Sequence, residues 1–219
     1  MMPPIGARTS GCTRHRSTPT ISYVGSAGKG TATTTSITVS YSPTNGNYVV
    51  GFVAVGAVIS GVSCSDSSSN SLTAGPSNNL GSVIYGNSFY YKVPSAGITS
   101  FTFSWTGSGN AWVNVVEYSG VVGVNASLSG NTTSGATASC SQTCTTLVNN
   151  SYLVVGFLDT SSSSWTSPTG NLRISNTTTP SSGRSAIMDN TVATAGSVTC
   201  AVTKSVAADW LGLALELNP

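Results

Sequence analysis

Along much of this chain apolar and polar positions alternate with a period of two. In SITVSYS (residues 36–42) Ile37, Val39 and Tyr41 fall on one side, with Thr38 and Ser40 on the other. In ITSFTFSW (98–105) Phe101, Phe103 and Trp105 share a side, and Thr102 and Ser104 oppose them. Successive side chains of a strand leave opposite faces, so this pattern predicts strands with one buried face. NYVVGFVAVG (47–56) is apolar on both sides and predicts a central strand covered on each face. SVIYGNSFYYKV, AWVNVVEYSG, NSYLVVGFLD, NLRISN, SVTCAVT and DWLGLALEL extend the series, and SPTNGN, PSNNLG and SPTGN supply turn chemistry. About a dozen strands result, in the range of a large sandwich.

The pattern also repeats. NGNYVVGFVAVG (45–56) returns as NNSYLVVGFLDT (149–160), with Tyr48 and Tyr152 lying 104 positions apart. The pairs Ala96-Gly97 and Ala195-Gly196 are 99 apart, and Trp112 and Trp210 are 98 apart. Such a near-constant offset predicts an internal duplication, with halves of about 21–123 and 124–219. Its period exceeds the roughly 20–50 residues of solenoid repeats. The expected domain is a single all-β, two-sheet sandwich over 21–219, built from two similar halves round one core. Two small immunoglobulin-like sandwiches in tandem are the alternative.

Composition sharpens this. Hydrophobic residues make up 39% of the 219, enough for a real core. Charged residues are only 6%, against roughly 25% in ordinary soluble proteins, so Ser, Thr, Asn and Gly must cover the surface. These residues disfavour helix, while Thr, Val and Tyr suit a pleated surface. A net charge of +2 leaves no electrostatic footprint for nucleic acid. The one basic cluster, Arg8, Arg14, His15 and Arg16, lies in residues 1–20, which read as a mobile leader. That leader lacks the apolar run of a signal peptide. The longest apolar stretch, Val49 to Val62, is interrupted by Gly51, Gly56 and Gly61 and falls short of the roughly 18 residues of a membrane helix. No membrane span is expected. A hydroxyl-rich, charge-poor surface points to an extracellular, cell-surface or virion-surface setting.

VSCSDSSSNSLTAG (62–75), FYYKVPSAGITSFTFSW (89–105) and AWVNVVEYSGV (111–121) together resemble a β-sandwich module of secreted bacterial and phage tail proteins. There an Asp-containing turn leads to an aromatic strand, a Gly turn, an alternating strand and a closing strand. DWLGLALELNP (209–219) is similar to the usual close of such modules. The resemblance covers about Ile21 to Pro219 and implies a concanavalin-like jelly roll, without implying catalysis.

Cys64, Cys140, Cys144 and Cys200 are an even set in the folded region, compatible with disulfides and an oxidising compartment; buried free thiols are the plainer alternative. Four cysteines allow three pairings. Asp66 and Asn70 in CSDSSSN offer oxygens to a Ca²⁺ ion, but an ion-free Asx turn is the favoured explanation. The sequons at Asn125, Asn131, Asn149 and Asn176 mark surface loops. No cofactor motif is present: GSAGKGT lacks the spacing of a phosphate-binding loop.

With His15 the sole histidine and confined to the leader, a Ser-His-Asp triad has no source. Glycosidase chemistry needs two carboxylates roughly 5–10 Å apart, and Glu117 and Glu216 occupy the closing strands of the two halves. Strand-end charges that discourage edge pairing are the competing explanation. Trp165, alone in SSSSWTSPTG, offers a ring to a sugar or protein, or closes as a lid. Tyr85 and Tyr90 suggest a second aromatic platform. Three functional classes follow: a non-catalytic module adhering to glycans or a host surface; a structural subunit assembling into a filament, coat or tail through the segment from Thr20 onward; and a glycosidase using Glu117 and Glu216. The first is the favoured reading.

Overall fold

The computed structural model describes residues 20–130, 132–159, 161, 164–176 and 184–219. Over these the chain forms β1 (Ser22–Ser40), β2 (Tyr48–Val55), β3 (Ser60–Asp66), β4 (Thr73–Leu80), β5 (Ile84–Lys92), β6 (Ser100–Ser119), β7 (Gly123–Asn125), β8 (Thr132–Gly135), β9 (Ser139–Thr145), β10 (Ser151–Asp159), β11 (Trp165–Thr169), β12 (Asn171–Asn176), β13 (Arg184–Val192), β14 (Ser197–Lys204) and β15 (Trp210–Asn218). It is an all-β protein of antiparallel sheets, as the alternation predicts. No helix among the described residues is long and apolar enough to cross a membrane.

In the first half the doubly apolar β2 lies at the centre, between β5 and β6, with β1 and β4 at the edges. β1 and β6 are 19 and 20 residues long, enough to serve two layers. Their pairing breaks register around Thr31–Ser36, where Thr33 takes a φ of 37°. Past that break Ser36–Ser40 pairs with Ser100–Ser104, and β3 joins the far side of β6. This small sheet closes over the large one: Ile37, Val39, Cys64 and Phe101 share an apolar cluster with Val49, Val53, Phe89 and Val113. The first half is therefore a sandwich with its own core.

The second half repeats the plan in shorter pieces. β10 lies between β13 and β15, with β12 at one edge and β7 and β8 at the other. β9, β14 and β11 form the covering sheet, whose Cys140, Cys200 and Val202 cluster with Leu153, Phe157 and Met188. A third apolar cluster joins the halves, with Val50, Phe52 and Trp112 from one side meeting Val154, Leu158 and Leu213 from the other. The β-sandwich reading holds, but the layering is richer than two sheets round one core. Four β layers enclose three apolar layers.

Register refines the duplication. Tyr48 faces Tyr118, and Tyr152 faces Leu217, so the central strands are offset by 104 and the closing strands by 99. Glu117 then matches Glu216, whereas Trp112 matches Leu211. The alignment of Trp112 with Trp210 is one residue out of step, and a one-residue slip sends a side chain to the opposite face. Trp112 accordingly packs between the halves and Trp210 in the second half's own core. The left-handed turn position before the central strand is Gly46 in one half (φ 86°) and Asn150 in the other (φ 58°). Both residue types tolerate that conformation.

One polar cluster pins the halves together. The buried Asp189 carboxylate accepts hydrogen bonds from Tyr118 Oη at 2.8 Å, Asn171 Nδ2 at 3.0 Å, and Arg173 Nε and Nη2 at 2.6 and 3.0 Å. The Arg173 guanidinium lies 4.5 Å from the Tyr23 ring centroid. Burial, then the neighbouring Asp189 charge, pushes the Tyr118 phenol well above its ordinary value.

Candidate functional site

The two glutamates proposed as a catalytic pair are equivalent positions doing equivalent structural work. Glu117 is 1% exposed and Glu216 is fully buried. Glu117 accepts from Thr44 N at 2.9 Å, Tyr41 Oη at 2.7 Å and Asn47 Nδ2. Glu216 accepts from Val148 N at 2.9 Å, Ser151 Oγ at 2.8 Å, Leu147 N at 3.0 Å and Asn125 Nδ2 at 2.8 Å. Thr44 corresponds to Val148 and Asn47 to Ser151 at the 104-residue offset. Each glutamate thus anchors the turn that leads into its own half's central strand, and among the described residues the donors to the two are separate sets. Burial alone would raise the Glu216 carboxyl, but the bonds from Asn125, Ser151, Val148 and Leu147 outweigh it and hold the group below the usual glutamate value. Around Glu117, burial and then the hydrogen bond to the carboxylate push the Tyr41 phenol upward. Asn125, first residue of a sequon, is spent on Glu216 rather than presented freely.

The exposed-ring reading of Trp165 is corrected. The residue opens β11 and is only 7% exposed, with its ring centroid 6.5 Å from that of Phe157. Its sequence neighbours are polar because β11 is an edge strand; its apolar partners come from β10 across the layer. Tyr85 and Tyr90 are half-buried, but they point to opposite faces of β5. Tyr85 packs on the first half's core and Tyr90 on the layer between the halves. They form no common platform.

The Asp66 carboxylate accepts from Ser68 N, Asn70 N and Asn70 Nδ2 at 2.8–2.9 Å and from Tyr91 Oη at 3.2 Å. Burial raises this carboxyl, and those four donors outweigh it and lower it overall. The geometry is an Asx turn with both oxygens occupied by donors, and Asn70 donates rather than offering its oxygen. Among the described residues no group of three or more His, Cys, Asp or Glu side chains could hold a metal ion.

The disulfide expectation is also corrected: Cys64, Cys140, Cys144 and Cys200 are buried free thiols. Cys140 and Cys144 share one face of β9 four residues apart, or about 13 Å along a strand. Cys200 faces Gln142, so it stands diagonal to both, at about 7–8 Å. A disulfide needs Cα atoms within about 4.4–6.8 Å. Burial pushes the Cys140 and Cys200 thiols up to about 12 and the Cys144 thiol up to about 11, which makes them inert rather than reactive. Cys12, the basic cluster and the rest of the leader through Pro19 lie outside the described residues, as does Asn131. The segment proposed to reach a neighbouring subunit is used at home, since Ser22–Ser40 pairs with β6 along its length.

What sequence reasoning passed over is the outward face of each covering sheet. On the first, Ser36, Thr38 and Ser40 stand beside Ser104, Thr102 and Ser100, with Ser63 and Ser65 beyond. On the second, Ser139, Ser141, Thr143 and Thr145 of β9 stand beside Thr203, Ala201, Thr199 and Ser197 of β14. Hydroxyls link across strands, at 2.9 Å between Thr38 and Thr102 and 2.8 Å between Thr143 and Thr199. Strand geometry spaces such groups at about 4.8 Å across and about 6.7 Å along the sheet. The signal was present in the alternation: its polar positions are nearly all Ser or Thr. The chain matches no protein-family model, and no curated protein is significantly similar to it.

Proposed function

We propose that this protein is a non-catalytic surface module of an extracellular or particle-surface assembly, and that it adheres to glycans through the hydroxyl ladders of its two covering sheets. The observation that carries this reading is the pair of outward faces built almost wholly from Ser and Thr at regular spacing. Rows of uncharged donors and acceptors on a rigid sheet complement the repeating hydroxyls of a polysaccharide, whereas scattered charges would not. The resemblance to concanavalin-like modules supports the same class of partner. So does the engagement of Glu117 and Glu216 in turn anchoring, which takes from the glycosidase reading its favoured acids.

The test is sedimentation with insoluble cellulose, chitin and peptidoglycan. Variants carrying Thr38→Val with Thr102→Val, and Thr143→Val with Thr199→Val, keep the side-chain shape and remove the hydroxyls. Binding to at least one polymer, weakened several-fold in either variant without a matching fall in melting temperature, is the expected result. Absence of binding to all three, or valine variants that bind as the parent does, would overturn the reading.

A further inference from the structure

The second half carries a buried ion pair that its counterpart lacks. Asp159 ends β10 and Lys204 ends β14, so the two belong to facing layers. Both side chains are 0% exposed, with Lys204 Nζ 3.1 Å from Asp159 Oδ1. In register, Asp159 stands beside Trp210 and Lys204 beside Trp165, which walls the pair with indoles. The duplication supplies an internal control. At offsets of 104 and 99 the equivalent residues are Val55 and Trp105, both buried in the first half's core. The fold is satisfied by apolar groups at this place, and a buried pair generally stabilises less than well-packed apolar residues. The charges therefore need another reason.

We propose that Lys204 and Asp159 condense to a side-chain amide that staples the two layers of the second half. Transfer of one proton along the contact leaves an amine facing a carboxylic acid. The Nζ lone pair attacks Cγ, the C–OH bond breaks, and water leaves with the second amine proton. Ammonium plus carboxylate gives amide plus water, so no oxidant or co-reactant is required. The surroundings suit each step. Ala208 O accepts a hydrogen bond from Lys204 Nζ at 2.6 Å and holds the amine in place. Ser161 Oγ donates to Asp159 Oδ2 at 2.7 Å, and Ser161 N donates to Oδ1 at 2.9 Å. These donors polarise the carbonyl and stabilise the oxyanion formed on attack. The product removes two charges from an apolar layer.

Intact-mass measurement of the purified full chain decides the matter. The expected mass is about 18 Da below that of the sequence, the water lost on condensation. Trypsin should then release residues 93–173 joined to 185–219, because no Lys or Arg interrupts the first stretch and Lys204 is blocked. Lys204→Met should show its full calculated mass. A folded parent protein at full sequence mass would overturn the proposal. So would a loss of water that persists in Lys204→Met, because the dehydration would then lie elsewhere. The linked tryptic fragment from the parent supports the bond even where the variant folds poorly.

Discussion

The ring of Phe52 lies over Gly156, its own counterpart in the other half. A Cβ on Gly156 would come within 2.8 Å of Phe52 Cε1, so the two positions have diverged into a knob and a hole. In a symmetric ancestor the same residue would meet itself here, and two phenylalanines would not fit. Gly156→Ala is expected to destabilise by about 1–3 kcal/mol through overpacking, and Phe52→Ala by about 3–5 kcal/mol through cavity formation. Combining Phe52→Ala with Gly156→Ala should cost less than the two single changes added, because the truncated ring no longer meets the new Cβ. Urea melts of the four proteins measure the coupling, and strict additivity would mean that the residues do not touch.

Trp165→Ala is expected to lower stability by about 3–5 kcal/mol, as core aromatic truncations do. Thermal and denaturant melts check this. An unchanged melting temperature would return the ring to the surface.

Glu216 makes stability depend on pH in a defined direction. Its folded-state value is lowered from an ordinary 4.5, so the unfolded chain binds the proton more readily. The contribution is fully present above about pH 4.5 and is lost as pH falls through the lower folded value. Glu216→Gln should cost about 1.5–3 kcal/mol at neutral pH, the scale of hydrogen bonds to a charged group. The deficit should shrink below pH 4.5, where the parent is losing the same interaction. Urea midpoints taken from pH 7 down to pH 3 give both curves. A deficit independent of pH would show that the carboxylate charge is not what anchors the turn.

The four core thiols should resist iodoacetamide in folded protein and react together once denaturant unfolds it. Mass spectrometry counts the adducts at Cys64, Cys140, Cys144 and Cys200. Early modification of Cys144 alone would indicate local opening of β9.

Much of this was legible in the chain. Alternation located the strands, and the recurring phrase around Tyr48 and Tyr152 located the duplication, because both depend on local pattern. What escaped depends on distant partners. Trp165 has polar neighbours along the chain, and Phe157, eight positions earlier, becomes its neighbour only through folding. Glu117 and Glu216 read as strand-end or catalytic charges because sequence reports a charge without its donors. Lys204 and Asp159 are 45 residues apart, and nothing local marks them as a pair. The hydroxyl faces were visible as residues and overlooked as surfaces, since their regularity appears only once strands are set side by side.

The pairing of β1 with β6 sets a timetable for synthesis. Ser22 waits for Ser119, and at roughly 5–20 residues per second that interval is about 5–20 s on the ribosome. During it the leading end of β1 has no partner, which for most strands invites aggregation. SYVGSAGKGTATTT carries few large apolar groups and several glycines, so the nascent segment stays soluble while it waits. The polar monotony that makes β1 look featureless suits a strand whose leading end must wait 97 residues for its partner.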